Sequence, residues 1–270
     1  MKYDLLVVGG GPAGLTAAIH ARARGKSALI ISNEPTASPL CKAPRMANYP
    51  GLPNVTGLEL VERLTGQAKD LGAEFRQGRA LSVMPMGKSV MVSVENDAVE
   101  GQAVILAPGV SRAAPLRGEA ELLGHGVSYC ATCDGMFYRG KSAVCAGDAP
   151  NFAVEVEFLR SIGCQVTETR LPGLEILGEG KVAGVRTAAG EELPCDGVFL
   201  LRASIAPAHL VPGLELAGGY IKVDGRMATN LPGVFAAGDC TGQPLQLAKA
   251  VGQGQTAAHF AIEGIDANFS

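Results

Sequence analysis

Asp4-Leu5-Leu6-Val7-Val8-Gly9-Gly10-Gly11-Pro12-Ala13-Gly14 decides the fold of this chain. Asp4–Val8 reads as a buried strand and runs straight into glycines. Leu15–Arg24, rich in alanine, follows as a helix. Ser27–Ser32 is a second strand, and Glu34 lies 20 residues past Gly14. Strand, glycine turn, helix, strand and acid together predict a βαβ unit that binds a dinucleotide. Gly9 permits the tight turn, Gly11 lets backbone approach a pyrophosphate, and Gly14 lets helix and strand pack closely. Pro12 and Ala13 share the turn whose helix N-terminus faces the phosphates, and Glu34 is placed to hold a ribose hydroxyl.

The turn alone does not separate FAD from NAD. Near the far end, Thr229-Asn230-Leu231-Pro232-Gly233-Val234-Phe235-Ala236-Ala237-Gly238-Asp239 reads as a turn, a short strand, then Gly-Asp. Gly238 lets an extended ligand pass near backbone, and Asp239 can bind a sugar-alcohol hydroxyl. Lys249–Ile262 reads as a helix aimed at the same ligand. In mid-chain stands Cys130-Ala131-Thr132-Cys133-Asp134. Two cysteines two apart can close a small disulfide ring and reopen it as a dithiol. A helix starting at the first sulfur would stabilise its thiolate through the dipole and unpaired N–H groups.

Composition narrows the class. At 270 residues there is room for two modest domains. Hydrophobic residues at 47% against charged residues at 18% fit a folded, globular chain. A net charge of −3 with no basic run argues against nucleic acid as a partner. No apolar stretch reaches the length of a bilayer span, so no membrane partner is expected. Seven cysteines, scattered apart from Cys130 and Cys133, fit a reducing cytoplasm better than a disulfide framework.

These motifs resemble those of the low-molecular-weight thioredoxin reductases. Gly238-Asp239 resembles the second FAD motif of flavin disulfide reductases, whose aspartate holds the ribityl chain. Asn48-Tyr49-Pro50-Gly51 with Gly57-Leu58-Glu59-Leu60 resembles the family's loop in which the asparagine touches the flavin. Ala107 and Gly109, in Leu106-Ala107-Pro108-Gly109, and Gln246-Leu247 resemble its further flavin contacts. Gly126-Val127-Ser128-Tyr129 leads into the cysteine pair as in the family. The resemblance implies an α/β fold of two doubly wound Rossmann-like domains, the second inserted into the first. The expected FAD domain is residues 1–113 and 220–270, and the redox-disulfide domain 114–219. It implies one FAD per chain, a homodimer, and thioredoxin or a similar disulfide protein as partner. Cys130 would attack that partner, Cys133 would face the flavin, and Asp134 would help move the proton. The loops at Arg112–Leu116 and Leu216–Tyr220 would be hinges.

Three departures matter. Pro108 stands where the family usually has threonine, and Leu245 replaces an arginine common before Gln246. The middle domain departs further. After a strand at Lys141–Ala146, the family's NADPH loop is reduced to Gly147-Asp148-Ala149-Pro150-Asn151-Phe152, with bulky Phe152 where backbone should approach phosphate. Beyond the strand Gln165–Thr169 a phosphate clamp shrinks to a lone Arg170, with Glu168 close by. Leu174–Val185 leaves no room for a helix. The expectation is that NADPH does not bind here. A few relatives lacking these motifs take electrons from ferredoxin, and this chain is similar to them. Two other readings stay open: a second flavin in the altered domain, or a flavin-binding redox sensor that is not an enzyme. A CxxC can also be half a zinc site, but no second CxxC or histidine cluster accompanies it, so no metal is expected.

Overall fold

A computed structural model describes residues 2–34, 38–95, 97–109, 116–129, 131–149, 152–202 and 207–267, and not the side chains of Pro39, Cys133 and Ala208. The chain divides into two compact units, residues 1–111 with 206–270 and residues 112–205. Both are mixed α/β units built on parallel strands.

The first unit opens with β1 (Lys2–Val8), α1 (Pro12–Ala23), β2 (Ala28–Ser32), α2 (Gly57–Asp70) and β3 (Glu74–Gln77). An antiparallel meander of β4 (Ala80–Pro85), β5 (Val90–Val94) and β6 (Asp97–Leu106) follows. The sheet runs β3-β2-β1-β6-β5-β4. Leu5 to Val8 pair in parallel with Ala28 to Ile31 on one side and with Ala103 to Leu106 on the other. The apolar run of β1 reflects that burial on both faces. α1 begins at Pro12, three residues before the periodicity suggests, because proline is suited to the first helical position, where no N–H is needed. α2 is held at its start by a capping box between Thr56 and Glu59.

The inserted unit contains α3 (Glu119–Leu122), β7 (Val127–Ser128), α4 (Ala131–Asp134), β8 (Ser142–Gly147), α5 (Phe152–Ser161) and β9 (Gln165–Thr169). Then come β10 (Glu175–Leu177), β11 (Gly184–Arg186), β12 (Glu192–Pro194) and β13 (Gly197–Leu201). A parallel sheet runs β7-β13-β8-β9, and β10-β11-β12 form a separate antiparallel sheet. The chain passes from β9 to β10 without a helix. Alternation along β8 and β13 divides the core by face. Val144, Ala146, Val198 and Leu200 join one cluster with Ile176 and Val185, while Ala143, Cys145, Phe199 and Leu201 join another with Ala131, Val156 and Leu159. The redox turn and α5 therefore share one face of the inserted sheet.

The return comprises α6 (Pro207–Leu210), β14 (Leu216–Ala217), β15 (Tyr220–Ile221), β16 (Val234–Ala236) and α7 (Leu247–Ala267). β16 adds to β6 in parallel, Val234 opposite Val104. The return falls at 205/206, earlier than the expected 219/220. Gly218 and Gly219 both have positive φ (58° and 83°) and turn the β14–β15 hairpin inside the first unit. Asn230 fixes the approach to that hairpin: its Oδ1 accepts from Glu215 N–H at 2.9 Å, and its Nδ2 donates to Gly213 O at 2.9 Å. Leu216–Tyr220 is thus a hairpin and not a crossing. Residues 112–115 of the other expected hinge lie outside the described residues. No described helix is long and apolar enough to cross a membrane.

Candidate functional site

The glycine turn is built as its spacing predicts. Gly9 has φ 114°, and a Cβ there would stand 2.1 Å from Ala107 O. A Cβ on Gly14 would stand 2.0 Å from Gly9 O. These two glycines are therefore required by the fold itself. Gly11 differs: a Cβ there would meet nothing within 4 Å, and its φ of −82° suits any residue. The space above Gly11 is a cradle that a side chain would fill. No side chain caps α1, so the N–H groups of its first turn, beside Pro12 and at Ala13 and Gly14, are open to an anion. Ala107 closes the base of the turn, its N–H donating to Val8 O at 2.7 Å, and Gly109 follows with φ 75°. Glu34 is exposed at the end of β2, on a cavity of about 490 Å³ also lined by Asn33, Thr65, Lys69 and Arg76.

The chain's far end reaches the same turn. A Cβ on Gly238 would stand 3.0 Å from Ala13 Cβ, and one on Gly254 of α7 would stand 2.2 Å from Ala13 O. Small residues thus let α7 lie against the start of α1. Asp239 follows Gly238 and is half-buried; burial raises its carboxyl above the usual aspartate range, with Lys249 opposing the shift. Asn48 Nδ2 donates to Gln246 Oε1 at 3.2 Å, which joins two predicted flavin contacts 198 positions apart. Leu247, at the head of α7, packs with the apolar cluster of Met46, Val55 and Leu60.

Two residues not foreseen hold the Gly238–Asp239 turn. Gln253 Oε1 accepts from Gly238 N–H at 2.9 Å and from the Thr241 hydroxyl at 2.9 Å. Lys249 Nζ donates to the carbonyls of Gly238 and Gly242. Their signal was available, since Gln246, Lys249 and Gln253 recur at helical spacing along one face.

In the inserted unit, Cys130 lies outside the described residues, as does the side chain of Cys133. Asp134 is half-buried and its Oδ2 accepts from the buried Ser128 hydroxyl at 2.6 Å. Its side chain does not cap the following turn. The expected helix start at Cys130 lies outside the described residues, but one N–H expected to be unpaired is engaged. α4 is one turn beginning at Ala131, and Ala131 N–H donates to the buried Glu155 Oε2 at 2.9 Å. Nearby, Glu119 and Arg202 form a bidentate buried pair at 2.7 and 2.9 Å, and Tyr129 donates to Glu119 Oε1 at 2.9 Å. Burial and the Glu119 carboxylate raise the Tyr129 phenol well above its ordinary value.

The second nucleotide-type turn starts the same way and ends differently. A Cβ on Gly147 would stand 1.9 Å from Leu201 O. That same carbonyl accepts the N–H groups of both Asp148 and Ala149, at 3.1 and 2.9 Å, and Phe152 N–H donates to Ala149 O at 3.0 Å. The described N–H donors of this turn, at Asp148, Ala149 and Phe152, are thus taken by protein carbonyls. Arg170 is exposed, and Glu168 pairs with Arg160 at 2.7 Å.

A dinucleotide cradle ending in an acid, with an inserted unit carrying a CxxC, defines a flavin-linked disulfide oxidoreductase. A family model described as pyridine nucleotide-disulphide oxidoreductase matches residues 3–174 and 163–254. The chain belongs to this family, as a thioredoxin reductase-like member. The thioredoxin reductase of Listeria innocua is 32% identical, over 98% of this chain and 94% of that one. The crystal structure of a ferredoxin-flavin thioredoxin reductase from Clostridium acetobutylicum superposes with a TM-score of 0.90 at 36% identity, covering 100% of this chain and 99% of that one. A thioredoxin reductase from Gloeobacter violaceus superposes with a TM-score of 0.80 at 30% identity, covering 100% and 96%. The family implies FAD as cofactor and thioredoxin as partner, and the residues of the first unit fit FAD.

Proposed function

We propose that this flavin disulfide oxidoreductase draws its electrons from ferredoxin, or a donor of similar potential, and not from NADPH. One observation carries the reading: Leu201 O takes the N–H groups of Asp148 and Ala149, where a nicotinamide dinucleotide would need its phosphates held. The lone, exposed Arg170 and the direct passage from β9 to β10 support it. So does the similarity to the Clostridium acetobutylicum ferredoxin-flavin enzyme. The energetics agree. A plant-type ferredoxin near about −400 mV and thioredoxin near about −270 mV differ by ~130 mV, roughly 6 kcal/mol for two electrons.

FAD, when bound, supplies the conversion from single electrons to a pair. In this reading Gly11 and the first turn of α1 hold its pyrophosphate, Glu34 a ribose hydroxyl and Asp239 the ribityl chain, while Asn48, Ala107, Gly109, Gln246 and Leu247 border the ring system. The reduced Cys130 and Cys133 then act on thioredoxin. The Cys130 thiolate attacks one sulfur of the partner disulfide. A Cys130–partner bond forms, the partner's S–S bond breaks, and its second sulfur leaves as a thiolate that takes a proton. The Cys133 thiolate displaces the partner from Cys130, closing the Cys130–Cys133 disulfide and releasing thioredoxin as a dithiol. Asp134, with Oδ2 fixed by Ser128, moves the proton at Cys133.

Anaerobic titration tests this. Reduced ferredoxin bleaches the flavin and, with thioredoxin present, yields thioredoxin thiols. NADPH leaves the flavin oxidised on the same timescale. Fast bleaching by NADPH sinks the proposal. Flavin released on denaturation counts one FAD per chain, and two would point to a ligand in the inserted unit.

A further inference from the structure

Glu155 has no part in the chemistry so far. It sits in the first turn of α5 between two valines, and only 6% of its surface is exposed. Its Oε2 accepts the N–H of Ala131, which is itself fully buried. Ala131 follows Cys130 in the chain and opens the turn that carries Cys133. The contact is a packed one. A Cβ on Gly135 would stand 2.8 Å from Leu159 and 3.1 Å from Phe158, so the end of the redox turn lies directly on α5. The carboxylate is therefore delivered by a rigid helix.

A buried carboxylate acts strongly, because little water screens it. In a CxxC whose helix start has free N–H groups, those donors stabilise the thiolate, lower its pKa and make the pair more oxidising. Here the Ala131 donor is engaged, and its acceptor is a buried carboxylate. We propose that Glu155 is a positioning residue that keeps the thiols of the Cys130–Cys133 pair protonated and the pair strongly reducing. The inference rests on reading Cys130–Cys133 as the working disulfide. A dithiol without thiolate stabilisation gives up its electrons more readily, which suits an enzyme that must reduce another disulfide.

The titratable neighbours do not supply an alternative. From β8 comes Cys145, whose thiol is pushed up to about 12 by burial, then by Glu168, with Glu155 adding to the push. α4 carries Asp134, bonded to Ser128. β9 carries Glu168, α5 itself carries Glu157 and Arg160, and Arg160 is paired with Glu168. Asp148 follows β8. The one nearby cation on α5 is thus engaged by a carboxylate other than Glu155.

The test uses the FAD-loaded, full-length protein, chemically reduced, with neither ferredoxin nor thioredoxin present. Alkylation of Cys130 is followed against pH by peptide mass spectrometry, and the disulfide–dithiol equilibrium is set against glutathione. Glu155→Gln keeps the shape and an acceptor for Ala131 N–H and removes only the charge. The expected result is a thiol pKa lower by about one unit, with alkylation at neutral pH about tenfold faster and an equilibrium moved about tenfold toward the dithiol. A folded Glu155→Gln protein with an unmoved profile overturns the proposal. Should the variant misfold, the wild type decides. Infrared difference spectra of disulfide against dithiol, with isotope-labelled glutamate, should show a shifted glutamate carboxylate band, and no shift overturns the idea. Failure of Cys130 and Cys133 to interconvert at all would instead sink the reading of the redox pair.

Discussion

The two units begin alike and then diverge within five residues. In each, a parallel strand ends at a glycine that the neighbouring backbone demands: Gly9 against Ala107 O, Gly147 against Leu201 O. After that glycine the first unit leaves open space at Gly11 and an uncapped helix start. The inserted unit closes on itself, with Asp148 and Ala149 donating to one carbonyl. The first glycine of such a turn belongs to the sheet, and the second belongs to the ligand. A sequence can therefore keep the first and lose binding, without losing the fold.

The comparison is broken most severely at its shared element. Gly9→Ala and Gly147→Ala should each cost roughly 3–5 kcal/mol, because a methyl would overlap a fixed backbone carbonyl. Gly9→Ala should be the worse, since its φ of 114° adds strain. Urea unfolding measures both, and a loss under about 1 kcal/mol at either site would show that the carbonyl can move aside. Gly11→Val separates ligand from fold. A Cβ there meets nothing within 4 Å, so the flavin-free protein should unfold at nearly the wild-type urea concentration. Its FAD affinity should fall at least about 100-fold, ~2.7 kcal/mol, read by flavin fluorescence titration.

How far the sequence revealed this depends on where the partner of each group lies. Gln165–Thr169 was legible residue for residue, and α1 and α7 were legible in place though not in length, because periodicity and alanine content are local. The FAD turn was legible because its glycines carry a known geometric need. The closure of the second turn was not, because its acceptor, Leu201 O, comes from a strand some fifty positions later. Gly147-Asp148-Ala149 shows only that glycines are missing. Glu155 was hidden for the same reason, its bond to Ala131 being a tertiary one. Gly218-Gly219 misled because a glycine pair serves a hairpin as readily as a hinge.

Within the first unit, smaller changes sharpen the picture. Asp239→Asn should lower FAD affinity about tenfold, the worth of one charge-assisted hydrogen bond. Burial raises the folded pKa of Asp239 above its unfolded value. Its contribution to stability is therefore full below the unfolded value near about 3.9 and declines as pH rises through the folded one. Ribityl hydroxyls donate to the charged form, so FAD binding should strengthen as pH rises through that window. Affinity measured across that range should slope in the wild type and be flat in Asp239→Asn. Asn48→Ala removes an exposed hydrogen bond to Gln246 and should cost only about threefold in affinity.

The smallest expected effect bears most directly on the comparison. Restoring glycine and small side chains to the second turn, as Asp148→Gly with Phe152→Ala, repairs the motif on paper. It leaves the reason for closure untouched, because Leu201 O accepts from backbone N–H groups that survive both substitutions. It also leaves Arg170 alone in place of a cationic clamp. Flavin reduction by NADPH in the double variant should therefore stay as slow as in the wild type. A large gain would mean that side-chain bulk, and not backbone closure, keeps the second turn from a nucleotide, and the contrast between the two units would then rest on Phe152.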